Sequence, residues 1–164
     1  MLLDKVLSNV FACAIELSFN SNAVPSNIPG WQPFYNSTFI NYDFQKAYAT
    51  SASIFFSEES STTPSGPSYK QKLTWRFPEN DKNRAERIAL IHQIKFVKFK
   101  FTNGLDLVVG RNDVNQNAKP QIKTSSDGQL CQVEVETISM VPAGFTPNLN
   151  SFGLPTFIPL SLIP

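Results

Sequence analysis

His92 is the sole histidine of the 164-residue chain, so any Ser-His-Asp or Cys-His centre has to be built around it. It falls in a helical stretch between Ile91 and Ile94, and neither Cys13 nor Cys131 carries the sequence signature of a nucleophile. A structural or surface histidine is the expectation. A zinc site takes three or four His, Cys or acidic ligands, and one histidine with two distant cysteines in strand patterns supplies too few. Glu58–Glu59 and Glu134/Glu136 are close carboxylate pairs. The second pair shares one face of a strand, as the residues of a solvated sheet face do. Gly66, Gly104, Gly110 and Gly128 stand singly, which argues against a phosphate-cradling loop. The expectation is a protein that is not an enzyme and holds no cofactor and no metal.

Charge is the next candidate for chemistry. Nine Lys or Arg and three acids lie between Lys70 and Lys100, in a chain whose formal net charge is only +1. Basic residues interleaved with aromatics can bind nucleic acid. Here the aromatics alternate onto the opposite strand face, as a core requires, so solubilising, edge-protecting lysines are expected and nucleic-acid contact is not. The charged fraction of 16% is low for a soluble domain. Such a surface is readily buried against a partner.

Cys13 and Cys131 both sit in alternating apolar patterns and read as buried free thiols, consistent with a reducing cytoplasm. Asp4 and Lys5 interrupt the apolar start, unlike a signal peptide, and no run reaches the length of a membrane-spanning helix.

The elements that would position these residues follow from periodicity. Residues 11–19 alternate, with Phe11, Cys13, Ile15, Leu17 and Phe19 on one face of a strand. A second strand is expected over 46–56, then a polar mobile loop from Glu58 to Pro67 and a third strand over 68–77. Asn80 or Asp81 can cap a helix running to about Ile94. Asn103-Gly104 and Asp127-Gly128 mark two hairpin turns, joining strands at 97–101 and 105–109 and at 119–125 and 129–139. The fold class expected is mainly β (α+β): an antiparallel β-sandwich over residues 11–141 with one flanking helix (about 80–94). Extended arms at 1–10 and 142–164 and a long loop at 20–42 complete the organisation.

Two segments stand out for lacking charge. From Leu17 to Tyr42 there is no Asp, Glu, Lys or Arg, and Trp31, Phe34 and Tyr35 lie within it. The last 28 residues are also free of charge. Their prolines oppose helix, while Phe145, Leu149, Phe152, Leu154, Phe157, Ile158 and Leu160 are too apolar for a solvated tail. These ten residues are the expected subunit interface, with the arm of one copy lying on the aromatic loop of the next.

Residues Tyr69 to Phe145 run through a strand, an Asn/Asp-capped helix, the Phe-Thr-Asn-Gly-Leu hairpin, the Val-Val-Gly-Arg-Asn loop and Gln-Val-Glu-Val-Glu-Thr. In layout this stretch resembles small virion proteins of tailed bacteriophages: tail-tube, neck and baseplate subunits. The resemblance implies a structural subunit that assembles into a ring with copies of itself and other virion proteins. It also implies a virion location, with assembly in the host bacterial cytoplasm and no membrane. Tail-tube subunits add a long hairpin for ring stacking, for which residues 46–77 are the candidate. The alternative expectation is a carbohydrate-type ligand-binding β-sandwich with Trp31, Phe34 and Tyr35 as stacking faces.

Overall fold

The computed structural model describes residues 11–19, 44–50, 52–116, 118–140, 142–143 and 145–147. Among these residues, nine strands form two antiparallel sheets. Sheet A has the order β2-β1-β5-β6-β9, built from β1 (Ala12–Ser18), β2 (Gln45–Ala47), β5 (Phe96–Phe101), β6 (Leu105–Val109) and β9 (Phe145–Pro147). Sheet B has the order β3-β4-β8-β7, built from β3 (Phe55–Thr63), β4 (Gly66–Pro78), β7 (Gln121–Ser126) and β8 (Leu130–Ser139). One α-helix, α1 (Arg84–Ile91), and a 3₁₀ turn at Asp113–Asn115 complete the described elements. The β-sandwich with one flanking helix is therefore present.

The core lies between the sheets. Ile15, Leu17, Val97, Phe99, Leu107 and Val109 from sheet A meet Leu73, Trp75, Phe77, Cys131, Val133 and Val135 from sheet B. Each set occupies alternate positions of its strands, so the period-two pattern selects the inner face. Both predicted hairpins form: Gly104 has φ +80° and Gly128 φ +88°, conformations that a side chain would strain. Asp127 Oδ1 accepts from the amides of Gln129 (2.9 Å) and Leu130 (2.8 Å), which closes the second turn.

Several expectations are corrected. The polar loop expected at 58–67 is strand: β3 pairs with β4 from Phe55↔Thr74 to Thr63↔Gly66, leaving Pro64-Ser65 as the turn. Only Phe56 of strand β3 packs on the core, and the rest is exposed and held mainly by backbone pairing, so no apolar periodicity announces it. The strand expected over 46–56 is divided between β2 and the start of β3. The helix is shorter than expected and begins after Asn83, because Asp81 Oδ1 accepts from the Asn83 amide (3.0 Å) in a local turn that competes with helix. Cys131 is buried as expected, but Cys13 is exposed. A bulge between Ala12 and Ala14 takes Cys13 off the core face, and its thiol donates to the Lys100 carbonyl (3.2 Å).

Within the arm expected at 142–164, residues 145–147 pair with β6 of the same chain, Phe145↔Leu107 and Pro147↔Leu105. Residues 1–10, the whole of the 20–42 loop and, within the arm, residues 144 and 148–164 lie outside the described residues.

Candidate functional site

Of the expected interface residues, Phe145 is placed by its backbone at the edge of sheet A. Trp31, Phe34, Tyr35, Leu149, Phe152, Leu154, Phe157, Ile158 and Leu160 lie outside the described residues. His92 caps the C-terminal end of α1, is exposed, and has Thr124 Oγ1 3.5 Å from its Nε2. Among the described residues no group of three His, Cys, Asp or Glu is placed to hold a metal ion. No helix among them is long and apolar enough to cross a membrane.

The structure brings together three arrangements that the sequence pattern does not announce. The first is a groove of about 460 Å³ at one edge of the sandwich. Leu17, Phe19, Ala47 and Tyr48 line it from sheet A, Trp75 and Phe77 from β4, and Arg87, Leu90 and Ile91 from α1. Its floor is apolar and its rim carries Lys46, Asp81 and Arg87. Arg87 is committed within the chain: it donates to the Pro78 carbonyl (3.1 Å), pairs with Asp81 and lies 5.6 Å from the Phe77 ring centre.

The second arrangement corrects the expectation of solubilising lysines on β5. The face of sheet A turned away from the core is also buried, and it carries charge. Lys98 is 2% exposed, and its Nζ lies 2.7 Å from Glu16 Oε2. Lys100 reaches Glu16 Oε1 at 2.9 Å. The Phe44 ring covers the Lys98 ammonium at 4.6 Å. Burial pushes the Glu16 carboxyl up, but hydrogen bonds and charge from Lys98 and Lys100 outweigh it and hold the group below its ordinary value. Asp106, on the neighbouring strand, is raised: burial dominates, and the same two lysines offset it only in part. Alternation along β1 and β5 shows that the two faces differ, but not that the polar one is wet.

The third is the loop after β6. Lys95 is buried, and its Nζ donates to the carbonyls of Gly110 (3.3 Å) and Ala118 (2.9 Å). Burial lowers its pKa to about 8, against the opposing pull of Asp113. Asn112 Oδ1 accepts from the Ile138 amide (3.1 Å), and Asp113 accepts from the Ser139 hydroxyl (3.1 Å) and the Met140 amide (3.0 Å). The loop is thereby tied to the end of β8. In the same manner Glu79 joins β4 to the β7–β8 turn and α1. It accepts from the Ser126 hydroxyl, the Gly128 amide (3.1 Å) and Arg84 Nε (2.9 Å). The Ser126 bond foremost, with Arg84 and Gly128 behind it, holds the Glu79 carboxyl below its ordinary value.

The expected solvated face of sheet B carries charge in stripes. Lys70 pairs with Glu136 and Lys72 with Glu134, each at 3.0 Å. Glu134 and Glu136 are thus cross-strand ion-pair partners that are mostly covered, rather than freely solvated acids. No protein-family model, curated protein or solved structure matches this chain.

Proposed function

We propose that the chain is a structural subunit of a tailed-bacteriophage particle, in a tail tube, neck or baseplate ring. It acts by self-assembly and arm exchange, without catalysis. Its partners are copies of itself and other virion proteins, in a particle put together in the host bacterial cytoplasm. The observation that carries the reading is the β3–β4 hairpin. Its edge strand is nine residues long and exposed throughout except at Phe56, which packs on the core. Three of its residue pairs, from Ser61↔Ser68 to Thr63↔Gly66, continue past the last β8 pairing at Tyr69↔Ser139. A strand whose outer edge and outward face cover nothing among the described residues of its own subunit is available to another. The uncharged residues 148–164 supply the arm. Sedimentation velocity and electron microscopy of the full chain and of a chain ending at Pro147 test the proposal. The full chain should form rings and the shortened one a folded monomer. A full chain that stays monomeric at high concentration refutes the assembly role, and rings from the shortened chain refute arm exchange.

The groove favours a second reading, a carbohydrate-type ligand-binding module. Tyr48, Trp75 and Phe77 line it, and a volume of about 460 Å³ suits a small ligand. Glycan-array binding that Tyr48→Ala abolishes would favour this reading; no binding by the wild type would eliminate it.

A further inference from the structure

We infer that the two edges of sheet B, β3 and β7, pair with each other between neighbouring copies, so that the sheet continues from subunit to subunit. The inference rests on the reading of the chain as an assembly subunit and names a contact that acts together with the arm, both being required for assembly. Among the described residues, no strand lies on the outer side of β3 or of β7. The register of β3 runs unbroken over all nine residues, without a bulge, a proline or a lysine to blunt the edge.

Charge identifies the occupant. On the face of sheet B turned away from the core, each strand carries a single sign. Glu59 stands on β3, and Lys70, Lys72 and Arg76 on β4. Glu134 and Glu136 follow on β8, and Lys123 on β7, opposite Glu134. The order is negative, positive, negative, positive. A second copy placed head to tail sets its acidic β3 beside the basic β7 and continues the alternation. Two β3 strands brought together would place Glu59 near Glu59, and two β7 strands would place Lys123 near Lys123. Like charges across strands are destabilising, so the pattern selects the head-to-tail contact over a two-fold one. Glu58, on the opposite face of β3, is occupied within the chain by Gln71 Nε2 (3.0 Å) and the Ala143 amide (2.7 Å).

Strand direction agrees. Every pairing in sheet B is antiparallel, and four alternating strands leave β3 and β7 running opposite ways. A head-to-tail neighbour therefore adds β3 antiparallel to β7. Glu59 is the middle residue of β3, and Lys123 is at the middle of β7. Setting them opposite pairs all six residues of β7, with Ser57 facing Ser125 and Ser61 facing Gln121, and no like charges meet. Head-to-tail contacts of this kind close into rings or run on as filaments.

The test uses the full chain and two charge reversals at exposed positions, Glu59→Lys and Lys123→Glu, each of which also sets a like charge across its own hairpin, at Lys70 and Glu134. Each variant alone turns its own contact into like charges and should associate roughly tenfold or more weakly than the wild type in sedimentation velocity. Mixed in equal amounts, every contact between the two variants again joins opposite charges, and assembly should return to near the wild-type level. Circular dichroism checks that each variant is folded; if one is not, Glu59→Gln or Lys123→Gln replaces it, with a smaller loss expected. Single variants that assemble like the wild type, or a mixture no better than its components, overturn the inference while leaving the assembly role standing. A wild type that is monomeric overturns the assembly role itself.

Discussion

Replacing Glu16 tests the buried charge network on sheet A most directly. Glu16→Gln removes the carboxylate held between Lys98 and Lys100, 2.7 and 2.9 Å away. Lys98 is then left as a cation 2% exposed, and removing one partner of a buried pair costs about 3–5 kcal/mol. The lower end applies, because Asp106 lies close enough for its charge to act on both lysines. The expected loss is about 3 kcal/mol, a large share of the stability of a domain this size. Lys98→Met alone leaves Glu16 with Lys100 and should lose less. The double variant removes both charges of the pair, so its loss should fall short of the sum of the singles by about 1–3 kcal/mol. Urea denaturation at neutral pH, followed by tryptophan fluorescence with Trp75 buried in the core, measures all four proteins. The pH dependence has a definite sign. The folded value of Glu16 lies below its ordinary 4.5, so its stabilisation is complete above that pH and is lost as pH falls through the folded value. Losses that add within about 0.5 kcal/mol would refute the network as the source of the stabilisation.

Three further outcomes are expected. Gly110 has φ +140°, and a Cβ there would collide with the Lys95 carbonyl and the Phe96 ring, so Gly110→Ala should cost about 3 kcal/mol or more in a denaturation midpoint measurement; a loss below about 1 kcal/mol would contradict the close approach. The folded pKa of Lys95, about 8, lies below the 10.5 of a free lysine, so between those values the unfolded chain binds a proton that the folded chain has released. The stability of the wild type relative to Lys95→Met should therefore rise across that window, and a constant difference would show that the amine is not desolvated. A thiol reagent should modify one cysteine, Cys13, in the native protein and both after unfolding; rapid native modification of Cys131, whose thiol burial pushes up, would contradict its placement.

The parts of the fold that were legible in the sequence are those where one face meets the core and a turn has its own chemistry. Strands β4, β5 and β8 alternate cleanly, and Asn103-Gly104 and Asp127-Gly128 need backbone conformations that few other residues adopt. Strand β3 is hidden because alternation reports burial, and beyond Phe56 β3 has none. The helix is expected to start too early because Asn80 and Asp81 both have capping side chains, whereas Asp81 closes a local turn on the Asn83 amide instead. Lys98 and Lys100 read as solubilising lysines because period two separates faces without saying what covers each. Glu79 and Lys95 owe their roles to partners up to 49 and 23 residues away, on elements whose approach no local pattern records. The aromatic loop and the arm, where the expected interface was placed, lie almost wholly outside the described residues, so the groove and the edges of sheet B now carry the functional argument.

The short strand β9 determines where the domain can be cut. Its three residues close the edge of sheet A by pairing with Leu105, Asp106 and Leu107. A chain ending after Pro147 keeps that cover. One ending after Ser139 would expose β6, whose alternate residues are buried on both sides, as a bare edge beside a buried charge network. Such an edge is a template for indiscriminate pairing, so a truncation meant to remove the arm would instead yield an aggregate and mimic assembly.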